Sequence, residues 1–213
     1  MAVFTIYPDA DGSLQSLSYN TQPTLYAAIA EAYAGTWSVT EYQTRAYDTI
    51  NYQSFNASGE YYVALERIYY IFDTSILGGA SVSEASLFVY RRSVNNPTHT
   101  IQVTAFNPTT TTQPVGTDEW GNFGSTVLAS QTVPNSGGYY EWSLNANGLA
   151  EIDPSGDTFF GLRNSDDVSG YFDTSGDYFR DSTWFATEET GTTKDPYLEV
   201  VTASGGTGFF SMF

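Results

Sequence analysis

The sequence predicts an all-β protein, an antiparallel sandwich or barrel of about nine strands with one or two short helices. Short segments alternate apolar and polar residues, and glycine, asparagine and proline lie between them. Aromatic residues make up 16% of the 213 residues, far more than a disordered acidic chain carries. Alternation with a period of two places one face of a strand against a core and the other in water. Many short strands separated by turns form sandwiches or barrels.

Eight predicted strands cover residues 2–7, 61–72, 82–90, 99–106, 139–144, 158–163, 184–188 and 197–202. The alternation is clear in residues 82–90, where Leu87 and Val89 share one face while Phe88 and Tyr90 share the other. The apolar faces together predict a core that includes Leu87, Val89, Ile101, Val103, Leu162, Leu198 and Val200.

Two helices are predicted between the strands. Residues 23–34 carry apolar side chains three and four apart, with Pro23 in the first turn and Gly35 at the end. A shorter helical turn is predicted at residues 146–152. The threonine- and proline-rich segment 107–114 is predicted to be an exposed loop.

The chain is predicted to form one domain, residues 1–203, in which residues 1–59 are a strand and helix extension packed on the sandwich. A glycine-rich linker and an aromatic tail follow in residues 204–213. Leaving three phenylalanines and a methionine in water is costly, so the tail either folds back onto its own domain or binds a partner. We predict that it binds another chain through Phe209, Phe210, Met212 and Phe213.

Composition excludes several functions. Twenty-four acidic residues against seven lysines and arginines give a net charge of -17, which repels nucleic acids and anionic membranes. No segment has the length or apolarity of a signal peptide or a membrane span. The absence of cysteine and the single histidine, His99, exclude thiolate and multi-histidine metal sites. No motif for a nucleophile or a phosphate loop occurs, so the protein is predicted not to be an enzyme. The alternative is a glycan-cleaving enzyme that uses two of the 24 acidic residues as a carboxylate pair.

Half of the acidic residues, twelve of 24, fall between Glu151 and Glu199. Calcium prefers six to eight oxygen ligands on loops, so this region could hold a structural calcium ion, the one cofactor considered. The candidate ligands are Asp166, Asp167, Asp173 and Asp177, with Asp9 and Asp11 as a second group. The alternative is a solvated acidic face without a metal.

Two further predictions concern individual side chains. Four aromatic residues near loops are candidates for stacking on sugar rings, although many aromatics in such a chain belong to the core: Trp120, Tyr139, Tyr171 and Trp184. Asp73 follows a predicted strand, and a short acid there can accept hydrogen bonds from the backbone of the next turn.

Several spaced segments resemble the DNRLRE-type β-sandwich domain. They are RIYYIFDTS (67–75), GASVSEASLFVY (79–90), WFATEE (184–189) and DPYLEV (195–200), in the same order as in that family. The resemblance covers about residues 60–202 and implies a jelly-roll sandwich similar to carbohydrate-binding modules. Such domains occur in extracellular and surface proteins.

Other segments resemble small proteins encoded among the virion genes of tailed bacteriophages. They are FTIYPDAD (4–11), LNANGLAEI (144–152), FGLR (160–163) and the glycine-then-aromatic terminus. This resemblance implies a non-enzymatic structural protein of the capsid surface, tail or fibre, made in the host cytoplasm without a signal peptide. Its partners would be other virion proteins or further copies of itself. The alternative is a carbohydrate-binding module or adhesin that recognises host-surface glycans.

Overall fold

The structure is a computed structural model that describes residues 1–18, 32, 34–35, 38–42, 47–57, 60–92, 98–110, 115–134, 136–171, 178–185 and 193–203. The strands there are β1 (Ala2–Ile6), β2 (Ala10–Ser18), β3 (Ser38–Tyr42), β4 (Tyr47–Ala57), β5 (Glu60–Asp73), β6 (Val82–Arg91), β7 (His99–Phe106), β8 (Phe123–Val133), β9 (Gly138–Ser143), β10 (Asp157–Asn164), β11 (Tyr178–Phe185) and β12 (Tyr197–Thr202). The helices are α1 (Ala146–Ala150) and α2 (Ser165–Ser169), and 3₁₀ turns are η1 (Ser75–Leu77) and η2 (Thr117–Asn122).

Eight of these strands form two facing antiparallel sheets. The first sheet has the order β1-β12-β6-β9 and the second has the order β5-β10-β7-β8. Counted along the chain from one to eight, the strands stand in the orders 1-8-3-6 and 2-7-4-5. Each sheet therefore draws strands from both halves of the chain, as in a jelly roll. The predicted all-β antiparallel jelly-roll sandwich with short helices is confirmed.

The other four strands extend the second sheet around β5. Strand β2 pairs with one edge of β5 and carries β3 on its far side. On the opposite edge of β5, β4 pairs with the first half of the strand and β10 with the second half. Strand β11 pairs with β4 and touches the first sheet where Trp184 lies opposite Arg91.

The main core fills the space between the two sheets. All seven residues that the sequence places in the core are fully buried there, which confirms the predicted strand faces: Leu87, Val89, Ile101, Val103, Leu162, Leu198 and Val200. The indole Nε1 of Trp142 on β9 donates to the carbonyl of Ile101 on β7 at 3.0 Å. This hydrogen bond links the two sheets across the core.

A second core covers the outer face of the second sheet. Strand β5 is apolar on both faces, because Ile68 and Tyr70 point to the main core while Tyr69 and Ile71 point to the second. The second core contains Leu14, Val63, Leu65, Tyr69, Ile71, Phe106, Val115, Trp120 and Phe123, with Ala10 and Ala32. Gly161 leaves room for it, since a Cβ there would lie 2.6 Å from the Phe123 ring.

Several predicted boundaries and elements need correction. The strand predicted at 184–188 is the end of β11, which begins at Tyr178 and stops at Phe185, and residues 186–188 lie outside the described residues. The helix predicted at 146–152 is shorter, Ala146–Ala150. Strands β2, β3, β4 and β8 and helix α2 were not predicted from the sequence.

The helix predicted at 23–34 lies outside the described residues except for Ala32 and Ala34, which are helical. Gly35 follows with a φ of 66°, in the left-handed region that glycine favours after a helix. The predicted loop 107–114 is irregular at residues 107–110, and residues 111–114 lie outside the described part. No helix among the described residues is long and apolar enough to cross a bilayer.

Candidate functional site

Five aromatic rings lie together on the outer face of the first sheet, and we call them the aromatic platform: Tyr7, Phe88, Tyr90, Tyr139 and Tyr197. Their positions follow from strand alternation, because Leu87, Val89 and Leu198 point into the core and their neighbours therefore point outward. Cross-strand pairing then sets Phe88 opposite Tyr197 and Tyr90 opposite Tyr139.

The rings of the platform touch in a continuous chain. Phe88 and Tyr197 are stacked with centroids 4.6 Å apart and planes 10° apart. Tyr139 meets Tyr197 edge-on at 5.5 Å and Tyr90 edge-on at 5.3 Å. The Tyr7 ring lies 6.2 Å from that of Tyr197. These separations fall in the favourable range for aromatic pairs, so each ring is held by its neighbours.

The platform is open to solvent. Tyr7 is 49% exposed and Tyr139 is 39% exposed, while the other three rings are half-buried. Single exposed apolar residues are ordinary on protein surfaces, but a contiguous patch marks an interaction site. The platform therefore has the character of a binding surface.

The pKa values of two platform phenols, Tyr139 and Tyr197, are raised. The Tyr139 hydroxyl donates to the backbone carbonyl of Asp195 at 2.8 Å. Burial and the nearby Tyr197 and Asp195 raise the pKa of Tyr139 to about 12. Burial, followed by the charge of Glu199, also raises the pKa of Tyr197. The Lys194 ammonium lies 5.3 Å from the centre of the Tyr90 ring, a cation–π contact at the edge of the platform.

A polar groove of about 320 Å³ lies on the same outer face, beside the platform. Glu141 lines it, and the Oε1 of Glu141 accepts from the hydroxyls of Ser86 at 2.8 Å and Ser143 at 3.0 Å. Pairing sets Glu141 opposite Phe88 and Glu199 opposite Ser86, so the groove and the platform adjoin. Apolar rings next to a few polar groups are the usual composition of a ligand site.

The four predicted sugar-stacking residues have different fates. Tyr139 belongs to the platform, and Tyr171, 58% exposed, lies in a separate pocket after α2. The prediction for Trp120 is wrong, because Trp120 is 3% exposed and its ring is covered by the Arg67 guanidinium at 3.9 Å. The side chain of Trp184 lies outside what the structure describes.

Sequence reasoning missed four of the five platform residues, Tyr7, Phe88, Tyr90 and Tyr197. The signal was nevertheless present in residues 82–90, where alternation assigns Phe88 and Tyr90 to the face opposite the core. Two aromatic rings on a face that should meet water are the anomaly that identifies a binding surface.

The calcium prediction fails for Asp167. This carboxylate is buried between two guanidinium groups: Oδ2 accepts from Arg67 Nε at 2.9 Å and Arg163 Nε at 2.7 Å. Oδ1 accepts from Nη2 of the same arginines at 2.7 Å and 2.9 Å. Burial alone would raise the pKa of Asp167, but the two positive charges outweigh it and hold that pKa well below its usual range. Both oxygens are thus occupied by arginine rather than by a metal.

The remaining calcium candidates do not come together in the part of the chain that is described. Asp9 is exposed, Asp11 is buried and Asp166 is half-buried, while Asp173 and Asp177 lie outside the described residues. Within the described ranges, no three acidic or histidine side chains lie close enough to hold an ion. The tail residues Phe209, Phe210, Met212 and Phe213 also lie outside those ranges.

No protein-family model and no curated protein matches the sequence, so both family resemblances stay predictions. Among solved structures, the chain is similar to the K1 cleaved adhesin domain of Lys-gingipain from Porphyromonas gingivalis W83, with 11% identity and a TM-score of 0.34 over 96% of this chain and 100% of that one. It is also similar to a carbohydrate-binding module of the β-sandwich superfamily, with 9% identity and a TM-score of 0.23 over 75% of this chain and 53% of that one. Likenesses with TM-scores this low do not bear on what this chain binds.

Proposed function

We propose that the protein is a non-catalytic carbohydrate-binding module whose aromatic platform stacks on the rings of a neutral glycan. The observation that carries this proposal is the contiguous, solvent-open chain of five rings on one sheet face. The C–H face of a sugar ring is apolar, so an exposed aromatic ring removes it from water at little conformational cost, because tyrosine and phenylalanine have only two side-chain torsions.

The polar groove supplies the hydrogen bonds that stacking cannot. Carboxylates accept from sugar hydroxyls, and serine hydroxyls both donate and accept. Glu141 is already oriented by Ser86 and Ser143, so its geometry is fixed before a ligand arrives. Such preorganisation lowers the entropy cost of binding.

The charge of this face favours neutral over acidic glycans. Glu84, Glu141 and Glu199 line the groove, and the whole chain carries a net charge of -17. A sulfated or carboxylated sugar at this groove would meet like charges at short range, which disfavours that class of ligand.

Binding to immobilised and soluble neutral polysaccharides tests the proposal. We expect Tyr139→Ala and Tyr197→Ala each to weaken the affinity about tenfold or more, because each removes a ring from the centre of the platform. Ile76→Ala is the matched control, since Ile76 is 65% exposed on η1 and outside the platform. Circular dichroism verifies that all three variants are folded.

Two results would contradict the proposal. One is that no neutral glycan binds the wild-type protein while acidic glycans do. The other is that the double variant Tyr139→Ala/Tyr197→Ala binds as tightly as Ile76→Ala. A virion location with docking through the C-terminal tail is a separate proposal, supported by the sequence resemblance alone, and a glycan-binding face would suit a particle that meets host surfaces.

A further inference from the structure

Strand β1 lacks the features that usually keep an edge strand from pairing with another chain. Among the described strands it pairs only with β12, so the other side of its backbone has no strand partner there. Edge strands usually carry a charged residue, a proline or a bulge, or another element covers them. Residues 2–6, with the sequence AVFTI, contain no charge and no proline, and their pairing with β12 has no register shift.

The three other edge strands of the described sheets, β3, β8 and β9, do have such features. In β3, the carboxylate of Glu41 accepts from the backbone N–H of Val115 at 3.0 Å, so the segment before η2 lies against this strand. In β8, the carbonyl of Val127 accepts from Nδ2 of Asn145 at 2.8 Å. Strand β9 carries the exposed carboxylate of Glu141. The uncharged edge of β1 is therefore an exception within this fold.

The edge at β1 is also apolar. Six large apolar side chains are exposed among the described residues, and three of them lie on or beside β1: Met1 at 82%, Val3 at 62% and Tyr7 at 49%. Strand alternation turns these odd-numbered residues to the outer face, whereas Phe4 and Ile6 pack against the main core. In a chain with a net charge of -17, two copies can approach at this edge without bringing carboxylates of β1 together.

We propose that two copies of the protein form a dimer by antiparallel pairing of their β1 strands. A two-fold axis through Phe4, perpendicular to the sheet, pairs all five residues of the strand. Val3 then lies opposite Thr5 of the second copy, and on the same outer face Met1 lies opposite Tyr7. The contact is self-complementary, and it removes the exposed apolar side chains of both copies from water.

This dimer joins the two first sheets into one sheet of eight strands. The two-fold axis keeps the outer faces of both copies on the same side, so both aromatic platforms face one way. Two platforms on one face can bind a single polysaccharide at two points, which raises the avidity. The dimer itself does not depend on glycan binding, and it is separate from the assembly predicted for the tail, because β1 alone forms it.

Five paired residues on each copy make a small interface, well below the roughly 1,200 Å² of a stable complex, so the dimer is reversible. Sedimentation velocity of the full chain, from micromolar to submillimolar concentration, tests this. We expect a monomer–dimer equilibrium that strengthens as salt is added. Salt screens the repulsion between two bodies that each carry a charge of -17, and β1 contributes no ion pair that salt would weaken.

Val3→Lys should weaken the dimer about tenfold or more, because it places two positive charges on neighbouring strands and puts a lysine on the edge. Ile76→Lys is the matched control, since it makes the same change of charge at an apolar residue of similar exposure, 65% against 62%. It should leave the dissociation constant unchanged. Circular dichroism verifies that both variants are folded.

Cysteine cross-linking tests the register, because the chain has no cysteine of its own. A mixture of Val3→Cys and Thr5→Cys proteins should form a disulfide-linked dimer on oxidation. Opposed residues of an antiparallel pair have Cα atoms about 4.5–5.5 Å apart, which is within the reach of a disulfide. Val3→Cys alone should cross-link much less, because its two thiols lie on a diagonal whose Cα atoms are about 7–8 Å apart.

The proposal is overturned if the full chain stays monomeric over the whole concentration range, or if Val3→Lys dimerises as tightly as Ile76→Lys. Association that weakens with added salt would also overturn it, because ion pairs elsewhere would then hold the copies together. Cross-linking of Val3→Cys with itself in preference to Thr5→Cys would overturn the register. Glycan binding is measured separately on the same proteins, so failure of the dimer leaves the proposed function standing.

Discussion

Asp167 is the residue on which three elements depend. It lies in α2, and its two carboxylate oxygens accept four hydrogen bonds from Arg67 on β5 and Arg163 on β10. The arginines also donate to the carbonyls of Trp120 at 3.0 Å and Gly124 at 2.7 Å. This cluster therefore ties η2 and the start of β8 to the sheet beneath them.

Replacing Asp167 by asparagine should destabilise the fold by about 3–5 kcal/mol, because it leaves two buried guanidinium groups without their counter-charge. Urea unfolding followed by tryptophan fluorescence measures this loss. Glu151→Gln, at an exposed position, is the control and should change stability by less than about 0.5 kcal/mol. A loss for Asp167→Asn as small as that of the control would show that the cluster contributes little.

The loss of stability caused by Asp167→Asn should depend on pH. The pKa of Asp167 is lowered in the folded state, so its stabilisation is fully present above the unfolded pKa of about 3.9 and is lost as the pH falls toward the folded pKa. The difference in unfolding free energy between wild type and Asp167→Asn should be constant above about pH 5 and shrink at lower pH. A difference that grows on acidification would have the wrong sign.

Asp73 is predicted to stabilise the turn after β5. Its Oδ1 accepts from the backbone N–H of Ser75 at 2.9 Å, which confirms the role inferred from its position. Hydrogen bonds from the side chain and backbone of Ser75 lower its pKa, so the effect is present at neutral pH and fades below about pH 4. Asp73→Ala should lower the melting temperature by a few degrees at pH 7 and by less at pH 3. Equal melting of variant and wild type at pH 7 would reduce Asp73 to a solvated turn residue.

At the scale of elements, β12 is the clearest case of a strand with one packed face. Leu198 is fully buried between the sheets, while Val201 is half-buried on the outer face. Leu198→Ala should cost about 2–5 kcal/mol, because it removes buried methyl groups and leaves a cavity. Val201→Ala on the same strand should cost clearly less. Equal losses in chemical unfolding would mean that the two faces of β12 are packed alike.

Strands β6 and β12 could be predicted because each has one buried and one wet face. Strand β5, which is buried on both faces, could be predicted from its dense run of apolar and aromatic residues. Strand β2 gave no such signal, because small polar residues are buried along it: Ser13 is fully buried and donates to Glu66 at 2.8 Å. Strand β8 lost its period of two through register shifts opposite Val103 and Thr104. Burial by a second layer and bulges in register are tertiary effects that a single strand's sequence does not contain.

The candidate site shows the same division. Alternation in β6 was enough to turn Phe88 and Tyr90 outward, but only the strand order brings Tyr139 and Tyr197 beside them. Those strands lie more than 45 residues away along the chain in either case. Trp120 and Asp167 were predicted to bind ligands, but both side chains are buried. They lie in polar, loop-like sequence, and only the folding of η2 and α2 turns them inward.

At the scale of the whole molecule, the tail prediction concerns assembly. Removing residues 205–213 should leave the sandwich folded, because the described core is built from residues 6–200. We expect the truncated protein to melt like the full chain but to lose incorporation into particles or oligomers, as measured by sedimentation and particle binding. Incorporation at normal copy number would show that Phe209, Phe210, Met212 and Phe213 pack on their own domain instead.

The pairing of β1 with β12 sets Ala2 opposite Thr202. Strand β1 is therefore synthesised long before the strand with which it pairs. Ribosomes add roughly 5–20 residues per second, which puts about 10–40 seconds between the emergence of the two strands. Throughout that interval β1 has no partner among the described strands of its own chain, and the first sheet is closed only after synthesis has passed β12. On a polysome, a nearby chain whose β12 is already synthesised presents a β12 edge with which this β1 can pair. Exchange of β1 between neighbouring nascent chains is therefore the form of misfolding that this topology favours.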